Sequence, residues 1–205
     1  MKTIIRAVVE LSFLTLIAVS CADMGVETED GGFNQSEFPS HVGDTWAYTI
    51  SDNVQKRTGA ATITVVGKMS GNPPVYLWES NTSGVIETRY CQMLNDTLKM
   101  HYREDSVFTA LTYVFPLQAG KQWRGSPRGH TCMVLGVGPD EVPSGKFDSC
   151  VEIVERWRTN EHDYEIRSWL VPRVGLVRMS YKATEFGKLV KDVSWELISY
   201  QVSPE

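Results

Sequence analysis

The stretch Lys191-Asp192-Val193-Ser194-Trp195-Glu196-Leu197-Ile198-Ser199-Tyr200 alternates apolar and polar residues. Val193, Trp195 and Leu197 share one face, which is the period of a half-buried β-strand. Similar runs occur at 45–50, 61–66, 75–78, 85–91 and 97–102, then at 131–137, 147–157, 164–171, 174–182 and 192–202. Turn formers separate the early runs: Ser51-Asp52-Asn53, Gly71-Asn72-Pro73-Pro74, Asn81-Thr82-Ser83-Gly84 and Asn95-Asp96. A spacing of about 10 to 12 residues predicts a meandering all-β domain. About 10 antiparallel strands would curl into a strongly curved sheet or an open barrel. Helical periodicity is scarce, and 105–111 is the one candidate for a covering helix.

Two stretches share the frame F-P-x-x-x-G-x-x-W: FPSHVGDTWAY from Phe38 and FPLQAGKQWRG from Phe115. Pro39 and Pro116 fix φ before a strand, Gly43 and Gly120 can reverse the chain, and Trp46 and Trp123 can anchor it on a core. Farther on, Leu98-Lys99-Met100-His101-Tyr102 matches Val177-Arg178-Met179-Ser180-Tyr181. The opening frames lie 77 residues apart (38 to 115) and the closing ones 79 (98 to 177). One domain over 38–205 with pseudo-repeats near 38–114 and 115–202 accounts for both matches. The simpler account is a strand-opening device used twice. Trp46, Trp78, Trp123, Trp157, Trp169 and Trp195 all fall on or beside strand candidates. Such residues build a core more often than they line a ligand groove.

Residues 1–20 read as a signal peptide. Lys2 and Arg6 give a positive start, and the apolar run 11–19 is too short to span a bilayer. Ala18-Val19-Ser20-Cys21 resembles a bacterial lipobox, which implies a lipidated Cys21 at the mature N-terminus. An ordinary secretory signal cut nearby, leaving Cys21 for a disulfide, is the other reading. More than one acyl chain gives stable anchoring. In the proteobacterial sorting pattern an Asp directly after the lipidated Cys retains a lipoprotein at the inner membrane. Here Ala22 holds that place, so the outer membrane is favoured. Residues 21–37, acidic and poor in large apolar side chains, read as a flexible tether. Without residues 1–20 the chain keeps 18 of 20 basic and 24 of 25 acidic residues, and its net charge moves from −5 to −6. With no basic cluster, nucleic acid is not an expected partner.

An exported chain can keep disulfides. Cys132 and Cys150 flank the Gly/Pro-rich stretch 138–145, taken as a loop. A hairpin folded at its midpoint, residue 141, would set the two opposite each other within disulfide reach. A Cys132–Cys150 bridge is therefore expected, with Cys91 left as a buried free thiol. The competing use is a metal site from His130, Cys132, Cys150 and His162, whose spacing fits no standard zinc pair.

Trp169-Leu170-Val171-Pro172-Arg173-Val174-Gly175-Leu176-Val177-Arg178 resembles the W-x-x-P-G-V-G-L-V-K motif of an uncharacterised bacterial lipoprotein family. Those chains also open with a lipobox, continue with a phrase like F-P-L-x-x-G-x-x-W, and close on a strand like Trp195-Glu196-Leu197. Arg173 stands where the family has Gly, in a tight turn. The resemblance implies an all-β domain in the outer envelope and no known activity. By analogy its fold is the bent open barrel of lipoprotein carriers of the LolA/LolB type, which hold acyl chains.

The chain contains no G-x-S-x-G elbow, H-E-x-x-H, P-loop or EF-hand frame. Glu161-His162-Asp163 reads as a solvated turn. Glu152 and Glu155 differ in strand parity and should face opposite sides. The three N-x-[ST] matches, beginning at Asn34, Asn81 and Asn95, read as turn chemistry in a bacterial chain. No enzyme, cofactor or metal is expected. The expectation is a membrane-anchored binding module for an apolar or lipid-like ligand. The alternative is an interaction protein that docks other envelope proteins.

Overall fold

The alternating runs pair with their neighbours in chain order in the computed structural model, which describes residues 32–102, 109–125 and 129–203. Twelve strands lie among the described residues. The first six are β1 (Thr45–Asp52), β2 (Arg57–Met69), β3 (Val75–Thr82), β4 (Val85–Leu94), β5 (Thr97–His101) and β6 (Thr109–Val114). The second six are β7 (Gln122–Arg124), β8 (Thr131–Val142), β9 (Gly145–Arg158), β10 (His162–Val171), β11 (Gly175–Glu185) and β12 (Lys188–Gln201). The sheet order is β6-β5-β4-β3-β2-β1-β12-β11-β10-β9-β8-β7, antiparallel throughout. Because β1 lies beside β12, the meander curls until its edges, β6 and β7, approach each other in a nearly closed barrel.

Side chains bridge that seam. The Trp123 indole N–H donates to the Thr112 carbonyl at 2.9 Å. The Lys121 ammonium donates to the carbonyls of Phe115 and Pro116 at 2.7 and 2.9 Å. A meander sorts its turns between two ends. The β1–β2, β3–β4, β9–β10 and β11–β12 turns lie at one end, here called the mouth. The other end, the base, carries the β2–β3, β4–β5, β8–β9 and β10–β11 turns.

The base is plugged by aromatic residues. Phe33 exchanges two backbone hydrogen bonds with Leu117, at 3.2 and 2.8 Å, and is only 2% exposed. Its ring meets Phe115 edge-on at 5.6 Å and Phe38 at 6.2 Å. Phe38 stacks on Trp78, and Trp78 on Trp46 at 5.1 Å and 12°. The packed domain therefore includes Gly32 to Glu37, which the sequence assigned to the tether. Phe33 supplies enough apolar surface to hold them, and a single 3-10 turn spans Gln35–Glu37. The signal peptide and Cys21 lie outside the described residues.

The two F-P-x-x-x-G-x-x-W frames fold alike. Gly43 and Gly120 both have positive φ, 101° and 81°. Their N–H groups donate to Val65 and Val134 carbonyls at 2.8 and 2.9 Å. The next residues, Asp44 and Lys121, bond back to His41 and Gln118, each at 3.0 Å. Trp46 and Trp123 are the second residues of β1 and β7. The closing matches fall on β5 and β11, also six strands apart.

Three local expectations are corrected. The stretch 138–145 is mostly strand: β8 runs to Val142 and β9 resumes at Gly145, with bulges between Val134/Gly136 and Gly138/Asp140. Its glycines bend the hairpin rather than end it. The turn accordingly sits at Pro143-Ser144, so Cys132 pairs with Glu155, and Cys150 with Gly138. The two thiols stand five to six strand positions apart, roughly 17 Å at about 3.3 Å per residue and far beyond disulfide reach. Cys132, Cys150 and Cys91 are all free and buried. Finally, of the helix expected at 105–111, Thr109 to Leu111 belong to β6. Residues 103–108 lie outside the described residues.

Candidate functional site

Strand parity decides which side chains enter the barrel. On β1 these are Trp46 and Tyr48, and across the register follow Ile63 on β2, Trp78 and Ser80 on β3, and Leu197 and Trp195 on β12. Near the base these side chains interlock. Above them lies a cavity of about 360 Å³, within the range that holds small ligands. Trp46, Trp78, Met100, Leu111, Leu176 and Trp195 form much of its apolar wall.

The wall's polar atoms are mostly occupied. The Trp46 indole donates to the Val174 carbonyl at 2.6 Å, and the Tyr48 hydroxyl to the Leu176 carbonyl at 2.8 Å. Burial raises the Tyr48 and Tyr113 pKa values, so both hydroxyls stay neutral donors. The Trp78 indole N–H is different: it is buried and has no partner. Its ring is sandwiched between Phe38 and Trp46, which keeps the N–H inside the aromatic stack.

Charge is gathered toward the mouth. Glu87 and Arg89 both line the cavity and pair at 2.7 Å. The Arg89 guanidinium also lies over the Tyr102 ring at 4.3 Å. Across the barrel, Glu155 is 8% exposed and bonded to His130 Nδ1. The His130 ring stacks on Trp157 at 4.4 Å, Trp157 on Tyr164 at 4.8 Å, and Tyr164 on Tyr181 at 6.5 Å. Glu152, of opposite parity, points outward to Arg167 at 3.1 Å, as expected.

Cys132 adjoins the His130–Glu155 pair through the cross-strand register. Its thiol is pushed up to about 12, first by burial and then by the Glu155 charge. It stays protonated and is no nucleophile at neutral pH. Cys150 and His162 lie elsewhere: Cys150 by Gly138, and His162 at the β9–β10 turn, 3.7 Å from Glu185. Among the described residues no three His, Cys, Asp or Glu side chains gather in a metal-holding group.

No protein family and no curated protein sequence matches the chain. Two solved structures do resemble it. A Bacteroides fragilis protein, described as exported and of YmcC-like fold, aligns with a TM-score of 0.53 at 11% identity. That alignment covers 83% of this chain and 99% of the other. The fold is similar to the YmcC-like fold. A Parabacteroides distasonis protein described as a lipoprotein aligns at a TM-score of 0.50 and 14% identity, over 84% of this chain and 100% of its own.

Within this YmcC-like barrel the six Trp divide between packing and lining. Trp46, Trp78 and Trp195 line the cavity, Trp123 closes the seam, Trp157 stacks under His130, and Trp169 faces outward beneath Arg178 at 5.7 Å. Sequence reading named His130 and Glu155 separately, without pairing them, and passed over both Glu87 and Arg89. A signal existed for the latter two. Glu87 and Arg89 share strand parity with Cys91, so the face that buries Cys91 also carries an adjacent acid and base.

Proposed function

We propose that this chain is a lipid-anchored bacterial envelope protein whose barrel holds an apolar or lipid-like ligand without catalysis. The observation that carries this reading is the cavity of about 360 Å³ inside the barrel, walled largely by Trp46, Trp78, Met100, Leu111, Leu176 and Trp195. Such a wall suits an apolar, chain-like molecule. Burial keeps the Cys132 thiol beside the His–Glu pair protonated at neutral pH, which supports a role without thiolate chemistry. Lipidation at Cys21 and placement at the outer membrane rest on the lipobox-like Ala18-Val19-Ser20-Cys21. The names of the two similar structures, one exported and one a lipoprotein, support export.

Native mass spectrometry of gently purified protein should show a bound lipid or fatty acid that is lost on denaturation. Ser80→Phe, which projects a ring into the cavity, should weaken binding of a fluorescent fatty acid about tenfold. A protein that carries no ligand and ignores the probe would instead be read as an interaction module. Cys21→Ser should move the protein to the soluble fraction, and membrane retention of that variant would refute lipidation.

A further inference from the structure

Three of the described turns at the mouth carry exposed apolar residues, while the fourth, Thr159-Asn160-Glu161, is polar. Phe186 is 81% exposed, and Val85 and Ile86 are 63% each; Val54 and Leu189 are exposed beside them. These residues belong to three hairpins that are contiguous, because the sheet runs β4-β3-β2-β1-β12-β11. Backbone bonds lace the hairpins together: Ser83 N–H to the Ala60 carbonyl at 3.2 Å, and Asn53 N–H to the Asp192 carbonyl at 2.8 Å. Scattered exposed hydrophobic residues are ordinary, but a cluster on adjoining turns marks an interaction surface.

Phe186 makes the case sharper. Phe186 and Gly187 both have positive φ, 47° and 79°, in a two-residue hairpin turn. That geometry favours Asn-Gly, and a bulky side chain there is strained. Folding gains nothing from a strained ring left in water. Beside these tips Lys56, Arg57 and Lys188 are exposed and join no ion pair among the described residues. Segment 53–57 contains no acidic residue, so the basic charge is concentrated on the β1–β2 tip, whereas exposed Glu161 and Glu185 flank Phe186.

We propose that these three tips dock the mouth of the barrel onto an anionic lipid bilayer. Phe186, Val85 and Ile86 enter the boundary between headgroups and acyl chains, as interfacial apolar side chains do. Lys56, Arg57 and Lys188 face the lipid phosphates, toward which each basic residue is drawn. None of these side chains lines the cavity, so docking and ligand binding are separable.

The test uses the full chain held in phosphatidylcholine nanodiscs and co-sedimented with dense vesicles of phosphatidylethanolamine and phosphatidylglycerol. The parent protein is captured. The triple variant Phe186→Asn, Val85→Ser, Ile86→Ser loses capture about tenfold or more, given the apolar area withdrawn. Lys56→Glu with Lys188→Glu weakens capture by these vesicles but not by phosphatidylcholine vesicles. Phe186→Asn alone raises the thermal midpoint, because Asn suits the turn, while it lowers capture; a merely structural Phe186 would not split the two. Capture of the triple variant equal to the parent's overturns the proposal. So does parent protein that self-associates without vesicles through these same residues, which assigns the tips to a second copy. Fatty-acid probe binding stays unchanged in every docking variant. A parent that captures vesicles but binds no probe defeats the cavity reading and leaves docking intact.

Discussion

Asp44 and Lys121 occupy the same place in the two Gly-turn frames and fasten the chain with opposite charges. The Asp44 carboxylate, wholly buried, accepts the N–H groups of His41 and Ser203 at 2.8 Å each. Lys121 instead donates to two carbonyls. Asp44→Ala strands two N–H groups and should cost about 2–3 kcal/mol, read from the urea midpoint. Arg173 works in the other direction. It holds the turn before β11 at a φ of 64°, in the left-handed region that favours Gly. Arg173→Gly should relieve about 1–2 kcal/mol of left-handed strain and lose about 0.5–1 kcal/mol to the entropy of Gly, for a net stabilisation of about 0.5–1 kcal/mol read from the urea midpoint. The thiols add a pH dependence. Burial raises Cys91 and Cys132 to about 12 and Cys150 to about 11, from 9.0 when unfolded. The unfolded chain therefore loses these protons first, so stability should fall as pH rises from about 9 toward 12. Urea titrations at pH 8 and pH 10.5 check this; an equal midpoint at both would contradict it.

At the scale of elements, alternation and turn chemistry made most strands legible, because a half-buried strand must alternate. Where burial did not alternate, reading failed. β6 and β7 are edge strands, and β7 has three residues, too few to show a period. The β8–β9 hairpin misled for a different reason. Gly138 and Pro139 look like a loop, yet they sit at a bulge inside paired strands. That error moved the turn by two residues and placed the wrong Cys partners opposite each other. The candidate site was less legible than the fold. Its cavity is assembled from residues of many strands far apart in sequence, and no local motif encodes a void. The seam offers an elemental prediction. Trp123→Phe removes the indole bond to Thr112, so amide exchange in β6 and β7 should quicken while β1 and β12 keep their protection.

Considered whole, the described chain enters at the base, where Phe33 is tied to Leu117, and the apolar tips stand at the opposite end. The proposed lipid on Cys21 would hold the base, and only residues 22–31 would link it to the barrel. Ten residues reach at most about 35 Å. The longest strands have 14 residues, about 46 Å of contour, or roughly 35 Å along the axis at a barrel's usual tilt. Turning the domain over onto its own membrane would use the whole leash. Upright, the molecule presents its wet-to-greasy edge to whatever lies across the gap. On that proposal it would be a spanner between two surfaces rather than a cap on one, and inserting twenty Gly/Ser residues after Asp30 should shift its vesicle capture from a facing bilayer to its own.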